Sequence, residues 1–212
     1  MPTRKYELKQ RAERQAETRQ RIVEAIVALH REVGPARTTI SAIAERAGVE
    51  RLTVYRHFAD ETAMFQACSA HFTKEVAPPD PAVWSHVADP AARLRAALVA
   101  FYDYYRRAED MLAHVQRDAP QLPALAAVLA PWDAFAGSVR DGLLEQWPVP
   151  NPGPARARLA AAIAHALRFE TWRSLARAEG LADAEAADLM VVLAHAAAAS
   201  AAGAPPGRAA PR

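Results

Sequence analysis

The spacing of apolar residues predicts helices along most of the chain. From about residue 17 to 33, apolar side chains recur every three or four positions, and Gly34-Pro35 ends this first helix. Two shorter helices are predicted over about 40–47 and 50–58, on either side of a turn at Gly48. Thr39 and Asp60 suit N-caps, and Asp60 would begin a helix from Glu61 to about Val76.

The remainder of the chain is also predicted to be helical. Proline-rich segments interrupt it, and the apolar pattern predicts helices over about 90–108, 109–117, 124–147, 155–179 and 184–202, the last capped by Asp183. Strand-like alternation does not occur, so the predicted fold class is all-α. Residues 1–16 are polar and basic and are predicted to form a flexible arm or a frayed helix start, and residues 203–212 a disordered tail.

Composition narrows the classes of protein that fit this pattern. A length of 212 residues, 51% of them hydrophobic, suits one domain or a small module fused to a larger one. The single cysteine, Cys68, excludes an intrachain disulfide, which fits the reducing cytoplasm. A secretory signal is not expected from a basic start without an apolar stretch, and a membrane span is not expected without a long apolar run.

The charge is distributed unevenly along the chain. Residues 1–60 hold 12 Lys and Arg against 8 Asp and Glu, whereas residues 61–212 hold 14 against 16. This asymmetry indicates an anion-binding module at the front of the chain and a different body behind it.

The helix predicted over 50–58 carries polar side chains that suit contact with DNA. Two short helices around a glycine turn, behind a first helix, are the skeleton of a helix-turn-helix, whose second helix enters the major groove. Six residues of the second helix can contact a phosphate or a base edge: Glu50, Arg51, Thr53, Tyr55, Arg56 and His57. A solvated helix face would explain the same residues, so spacing alone leaves both interpretations open.

The segment from Thr39 to Phe58, TISAIAERAGVERLTVYRHF, closely resembles the DNA-binding signature of the TetR/AcrR family. The resemblance covers about residues 17–76 and implies a helix-turn-helix DNA-binding domain there. A weaker resemblance from Phe169 to Leu181 implies that residues 77–202 form a helical effector-binding and dimerisation domain. The family often has a lysine where this chain has Glu61, so Glu61 is expected to turn away from phosphate, or the basic arm to compensate.

The resemblance also implies roles for individual residues. Thr39 would bind phosphate at a helix N-terminus. Glu50, Arg51 and Leu52 would contact base edges, with Arg51 as a bidentate partner of guanine. Thr53, Tyr55 and His57 would bind phosphates, and Arg56 would reach either. The spacing does not decide whether Leu52 faces inward or outward.

Aromatic residues in the rear domain are candidates for an effector pocket, since similar proteins bind small apolar or amphipathic molecules among these helices. The candidates are Phe101, Tyr105, Trp132, Phe135 and His165, although for each residue taken singly a plain core role is the favoured interpretation. No His pair at i, i+4 and no catalytic constellation occurs, so neither a metal, a cofactor nor an enzymatic activity is expected. Cys68 lies on an apolar stripe and is predicted to be a buried structural thiol.

The last two predicted helices are apolar on more than one side and therefore need two packing partners. The resemblance favours a homodimer through these helices over packing within one subunit. The resulting hypothesis is a ligand-responsive transcription regulator, specifically a repressor, that binds a palindromic operator as a homodimer. The alternatives are an activator, a non-specific DNA binder, or a helical ligand-binding protein or enzyme without a regulatory role.

Overall fold

A computed structural model describes residues 4–150 and 152–199, with side chains from Tyr6 onward. Within these residues the regular elements are all helical, and no strand occurs. The longer helices are α1 (Arg4–Glu32), α2 (Ile40–Ala47), α3 (Arg51–His57), α4 (Glu61–Glu75), α5 (Ala82–Ser85), α6 (Pro90–Asp118), α7 (Pro123–Glu145), α8 (Pro154–Ala166), α9 (Phe169–Arg173) and α10 (Asp183–Ala199). Three-residue 3-10 turns precede α2 and α7.

Helix α1 begins far earlier than the sequence pattern predicts. The segment expected to be a flexible arm or a frayed helix start is helical from Arg4 onward, and residues 1–3 lie outside the described part. The physical reason is composition, because residues 4–21 are mostly strong helix formers and include neither Gly nor Pro. Apolar periodicity detects a helix only where one face is buried, so it misses an exposed helical extension.

Local capping sets both ends of α2 and the start of α4, as predicted. The Thr39 hydroxyl accepts a hydrogen bond from the Ala42 N–H (3.1 Å) and starts α2. Gly48 ends α2 with φ 64°, the left-handed conformation that favours glycine. The Asp60 carboxylate accepts from the Ala63 N–H (2.8 Å) and starts α4. Beneath these caps, the side chains of Ile43, Val54 and Phe58 are buried.

The chain divides into two compact units. One contains the residues up to Ala77 together with Arg107–Pro131, and the other contains Pro78–Arg106 and the residues from Trp132 onward. This division differs from the single rear domain expected over 77–202, because it groups the end of α6 and the start of α7 with the N-terminal helices. In the first unit, His114 on α6 contacts the backbone oxygen of His30 through Nδ1 (3.1 Å).

Two helix boundaries differ from the prediction. The separate helix expected over 109–117 is the continuation of α6, which runs unbroken to Asp118. The single helix expected over 155–179 stops at Ala166, resumes at Phe169, and continues from Ser174 as one π-helical turn.

Two buried tyrosines form hydrogen bonds at the break after α8. The Tyr102 hydroxyl donates to the Ala166 carbonyl (3.0 Å), and the Tyr105 hydroxyl donates to the Leu167 carbonyl (2.5 Å). These buried donors satisfy carbonyl groups that the interrupted helix leaves without helical partners.

The start of the last helix also differs from the expectation. Asp183 is the first residue of α10, and its carboxylate accepts from the Trp172 indole N–H (2.8 Å) instead of capping the helix. The predicted end at 202 and the predicted tail over 203–212 lie outside the described residues. No helix in the described part is long and apolar enough to cross a membrane.

Candidate nucleic-acid interface

Helix α3 presents most of its side chains to solvent. Val54 is its buried residue and anchors it to the N-terminal unit. Leu52 is 79% exposed and Tyr55 53% exposed, which settles the orientation of Leu52 as outward. A seven-residue helix fixed on one side and free on the other has the form required to enter a groove.

The structure gathers most of the predicted DNA-binding residues on α3. Glu50 occupies the N-cap position, but its side chain does not cap the helix and remains exposed. Arg51, Leu52, Tyr55 and Arg56 are also exposed, whereas Thr53 and His57 are half-buried. Thr39 is exposed at the start of α2, where its hydroxyl caps that helix.

A cluster of basic groups lies at the C-terminal end of α3. Partial burial, Arg56 and Arg19 together lower the pKa of His57, which favours its neutral form. The Arg19 guanidinium on α1 lies 5.1 Å from the centre of the Phe58 ring. Arg19 was absent from the predicted site because it lies outside the helix-turn-helix motif.

Two arginines fix α2 against α1. Arg46 forms a bidentate ion pair with Glu32, with Nη2 2.7 Å from Oε2 in the longer of the two bonds. Arg21 donates from Nη1 to the carbonyl oxygen of Ala47, at the end of α2 (3.2 Å). The helix that precedes α3 is thus held by directional contacts at its last turn.

Asp60 and Glu61, at the start of α4, stabilise that helix. Asp60 caps it, and Glu61 is exposed in its first turn, where a negative charge is favourable to the helix dipole. A helix-stabilising role therefore accounts for the acid at the position where the resemblance implies a phosphate-binding lysine.

The described residues offer neither a metal site nor a reactive cysteine. Among the described residues, no group of three or more His, Cys, Asp or Glu is arranged to hold a metal ion. Cys68 is buried, as predicted, with its sulfur 3.3 Å from Nδ1 of His30. Burial raises the pKa of the Cys68 thiol to about 12, so it lacks the thiolate character that a reactive cysteine needs.

The second unit contains a cluster of aromatic rings. Four of the five predicted effector residues belong to it. The Phe101 ring lies 6.0 Å from that of Tyr105, 5.9 Å from that of Trp132 and 6.1 Å from that of Phe135, centre to centre. Trp132 and Phe135 are half-buried, whereas Phe101 and Tyr105 are almost fully buried.

The cluster differs in two members from the predicted set. Tyr104 stacks on Trp132, with ring centres 5.2 Å apart, and was not selected. Its position three residues after Phe101 on the same helix was the available signal. His165 is exposed near the end of α8, where its ring approaches the Thr171 hydroxyl (3.4 Å), and no ring contact joins it to the cluster among the described residues.

Helix α10 leaves large apolar side chains uncovered. Leu189, Val192 and Leu193 are 39%, 63% and 48% exposed. The opposite side of α10 is buried at Ala186, Ala187, Met190 and Ala194. The helix is therefore apolar on two sides, one packed and one open to solvent.

Comparison with known families agrees with the geometry of the N-terminal unit. Residues 22–68 match the model of a family described as bacterial regulatory proteins, tetR family. The match spans α2 and α3 completely, together with the whole buried part of α1 and the first half of α4. No curated protein sequence matches the chain significantly.

Solved structures similar to this chain extend the comparison beyond the first unit. A TetR-like transcriptional regulator from Rhodococcus sp. RHA1 aligns with TM-score 0.57 and 22% identity, over 84% of this chain and 93% of its own. A TetR-family regulator from Syntrophomonas wolfei gives 0.60 and 16%, over 86% and 95%. NalD from Pseudomonas aeruginosa gives 0.56 and 20%, over 86% and 96%. At these identities the similarity establishes a shared fold.

Proposed function

We propose that this chain, a TetR-family transcriptional regulator, represses transcription in the cytoplasm as a homodimer on a palindromic operator and is released by a small apolar or amphipathic effector. The outward presentation of α3 carries the proposal. Its exposed face combines donors, acceptors and one apolar side chain on a rigid helix, which suits direct contact with base edges in the major groove. NalD is described as the secondary repressor of the MexAB-OprM multidrug efflux pump, which favours repression over activation.

In this proposal each exposed residue of α3 has a partner on DNA. Arg51 binds guanine in a bidentate manner, Glu50 accepts from the cytosine amino group, and Leu52 packs against a thymine methyl. Tyr55, Arg56 and the capping residue Thr39 bind phosphates, as do the half-buried Thr53 and His57. Phosphate contacts position the helix, and base contacts supply its sequence preference.

The exposed side of α10 supports the homodimer. Three large apolar residues on one helix are an unusual exposure for a monomer, and a second copy would cover them with the same surface about a two-fold axis. Two copies of α3 related by that axis would bind a palindrome.

The aromatic cluster supports an apolar or amphipathic effector. Its rings contact one another at centre distances of 5.2–6.4 Å, so a bound molecule has to separate or replace some of them. The Tyr105 hydroxyl already donates to Leu167, which leaves mainly ring faces for recognition. A planar apolar compound would meet those faces with favourable stacking.

The test is operator selection by the full-length protein from a pool of random duplex DNA, followed by affinity measurement with random competitor DNA. We expect a palindrome bound about 10³–10⁷ times more tightly than random sequence. Arg51→Ala should cost about 1–3 kcal/mol and relax the preference at one base pair of each half-site. Arg37→Ala removes an exposed arginine outside α3 and is the matched control.

Two outcomes would contradict the proposal. Failure to enrich any sequence would remove the specific regulator and leave a non-specific DNA binder or a ligand-binding protein. Equal weakening of Arg51→Ala on every duplex would remove the base contact. For the effector, planar aromatic compounds are titrated against the protein–operator complex, and a compound that releases DNA from the wild-type protein should act more weakly on Trp132→Ala.

A further inference from the structure

The first four turns of α1 form an exposed helix that the proposed function does not use. From Tyr6 to Glu17 nearly every side chain is exposed, and burial of α1 begins at Ile22. At 1.5 Å per residue, Tyr6 lies about 20 Å along the helix from Arg19. We name the segment 6–19 the α1 extension.

The C-terminal end of the extension, at Arg19, lies beside the end of α3. Arg19 packs over Phe58, the residue that follows α3, and its charge lowers the pKa of His57 at the end of α3. Arg19, Arg56 and His57 therefore form one basic group of side chains in the N-terminal unit, and the extension runs outward from it.

Charges are segregated around the extension. A helix turns by about 100° per residue, so Lys9 and Arg11 lie within about 80° of the direction of Arg19. Glu7, Glu13 and Glu17 all lie about 120° or more from that direction. The half of the extension that faces the same way as Arg19 thus carries cations and no acid. The acids share the other half with Arg14, and Glu13 lies 3.8 Å from Lys9 at the border of the two halves.

The apolar content of this face argues against a protein partner. Leu8 is its only large apolar residue, and the remaining described positions are Lys9, Arg11, Ala12, Gln15, Ala16 and Arg19. A basic, weakly apolar helical face complements the DNA phosphate backbone. Its length of about 20 Å corresponds to roughly six base pairs of duplex.

We propose that the α1 extension binds the phosphate backbone of DNA flanking the base pairs contacted by α3, through the face that holds Lys9, Arg11 and Arg19. This inference rests on the proposed function, since it extends the same protein–DNA interface. The basic group at Arg19, Arg56 and His57 joins the α1 extension to α3. The continuous helix holds Lys9 and Arg11 at a fixed distance from that group.

The test compares Arg11→Gln with Arg14→Gln on two duplexes. Arg14 is a matched control because it is exposed on the same helix, three residues away, and lies about 140° from the direction of Arg19. One duplex carries the selected operator with about ten base pairs of unrelated sequence on each side, and the other is trimmed to the operator. Affinity is measured from 50 to 200 mM salt, and circular dichroism verifies helicity.

On the flanked duplex, Arg11→Gln should reduce the salt slope by about 0.9 for each lost phosphate contact, hence by about two in a dimer. Between 50 and 200 mM salt the wild type should then lose roughly tenfold more affinity than Arg11→Gln. Arg14→Gln should match the wild type on both duplexes, and Arg11→Gln should match it on the trimmed one.

Equal slopes for the two variants on the flanked duplex would overturn the proposal, as would an effect of Arg11→Gln that persists on the trimmed duplex. Failure of operator selection would instead count against the proposed function. An operator that is bound equally well with and without flanks would count against this inference alone.

Discussion

The carboxylate of Asp118 accepts a hydrogen bond from the backbone N–H of Ala36 (2.9 Å), joining the end of α6 to the connection between α1 and α2. Arg117 donates to the same carboxylate from Nε (2.7 Å) and to the carbonyl oxygen of Val33 from Nη2 (3.0 Å). Its guanidinium holds the pKa of Asp118 below the usual range, so the acid is ionised at neutral pH. These contacts require a close approach at Gly34, whose φ of 92° also favours glycine.

Gly34→Ala should destabilise the N-terminal unit by about 2–4 kcal/mol. A Cβ at this position would overlap Nη2 of Arg117 and lie 2.6 Å from Oδ2 of Asp118, so both side chains have to move. Urea unfolding measures the change. Gly142→Ala is the control, because its Cβ would meet no atom within 4 Å and should stabilise α7 by up to about 1 kcal/mol. Equal stability of Gly34→Ala and the wild type would contradict the close approach.

Leu52→Ala should weaken operator binding by about three- to fourfold, the value of burying the one thymine methyl group that the leucine covers. Because Leu52 is 79% exposed and has no packing role within the protein, its substitution should affect DNA binding and leave the fold unchanged. Replacing one thymine of each half-site by uracil should cost the wild type a similar factor and cost Leu52→Ala nothing more. Affinities of the four combinations measure the coupling. Additive losses would show that Leu52 and the thymine methyl do not meet.

The free energy of unfolding should decrease as the pH is lowered, because of His30. Burial lowers the pKa of this histidine to about 4, although the nearby Asp118 raises it. Cys68 and His114 face the same residue. The unfolded chain takes up a proton near pH 6.5, whereas the folded protein resists it until about pH 4. Lowering the pH from 6.5 to 4 should therefore decrease the free energy of unfolding by about 3 kcal/mol at most. Below pH 4 the contribution of His30 to stability should no longer change with pH.

The pH effect is measured by urea unfolding of the wild type and His30→Gln from pH 4 to 7. The variant should show a flatter dependence over the interval, whatever its stability at pH 7. His86→Gln, at an exposed histidine, should keep the wild-type dependence. Parallel curves for the wild type and His30→Gln would contradict the assignment.

Val192→Glu should dissociate the proposed homodimer. The valine is 63% exposed on the open side of α10, where a second copy would bury the new charge without a partner. Sedimentation velocity over a range of concentrations measures the mass. Val83→Glu alters another exposed valine (53%), which lies on α5, and should leave the dimer intact. A wild-type protein that is monomeric at all concentrations would contradict the dimer itself.

The helix-turn-helix was predictable because its elements depend on local interactions. Thr39 and Asp60 accept from N–H groups three residues away, and Gly48 adopts the left-handed conformation within its own turn. Such features appear directly in the order of residues. The orientation of Leu52 was not predictable, since it depends on which face of α3 the buried Val54 fixes.

The rear half was less predictable because its boundaries depend on residues distant in sequence. The break after α8 coincides with buried hydroxyls of Tyr102 and Tyr105, more than 60 residues earlier. The aromatic cluster contains four of the five candidate effector residues, Phe101, Tyr105, Trp132 and Phe135, and the exposed His165 lies outside it. Helical periodicity reports which residues share a face and does not report what that face contacts.

The sequence by itself determined the all-α fold class, the caps at Thr39 and Asp60 with the turn at Gly48, and the composition of the surface on α3, because caps, turns and helix propensity act within a few residues. Only the tertiary structure decided that Asp118 meets Ala36, that Arg19 meets Phe58, and that residues 107–131 join the N-terminal unit. Each of those outcomes depends on packing between helices, and packing energy is set by residues that no local pattern brings together.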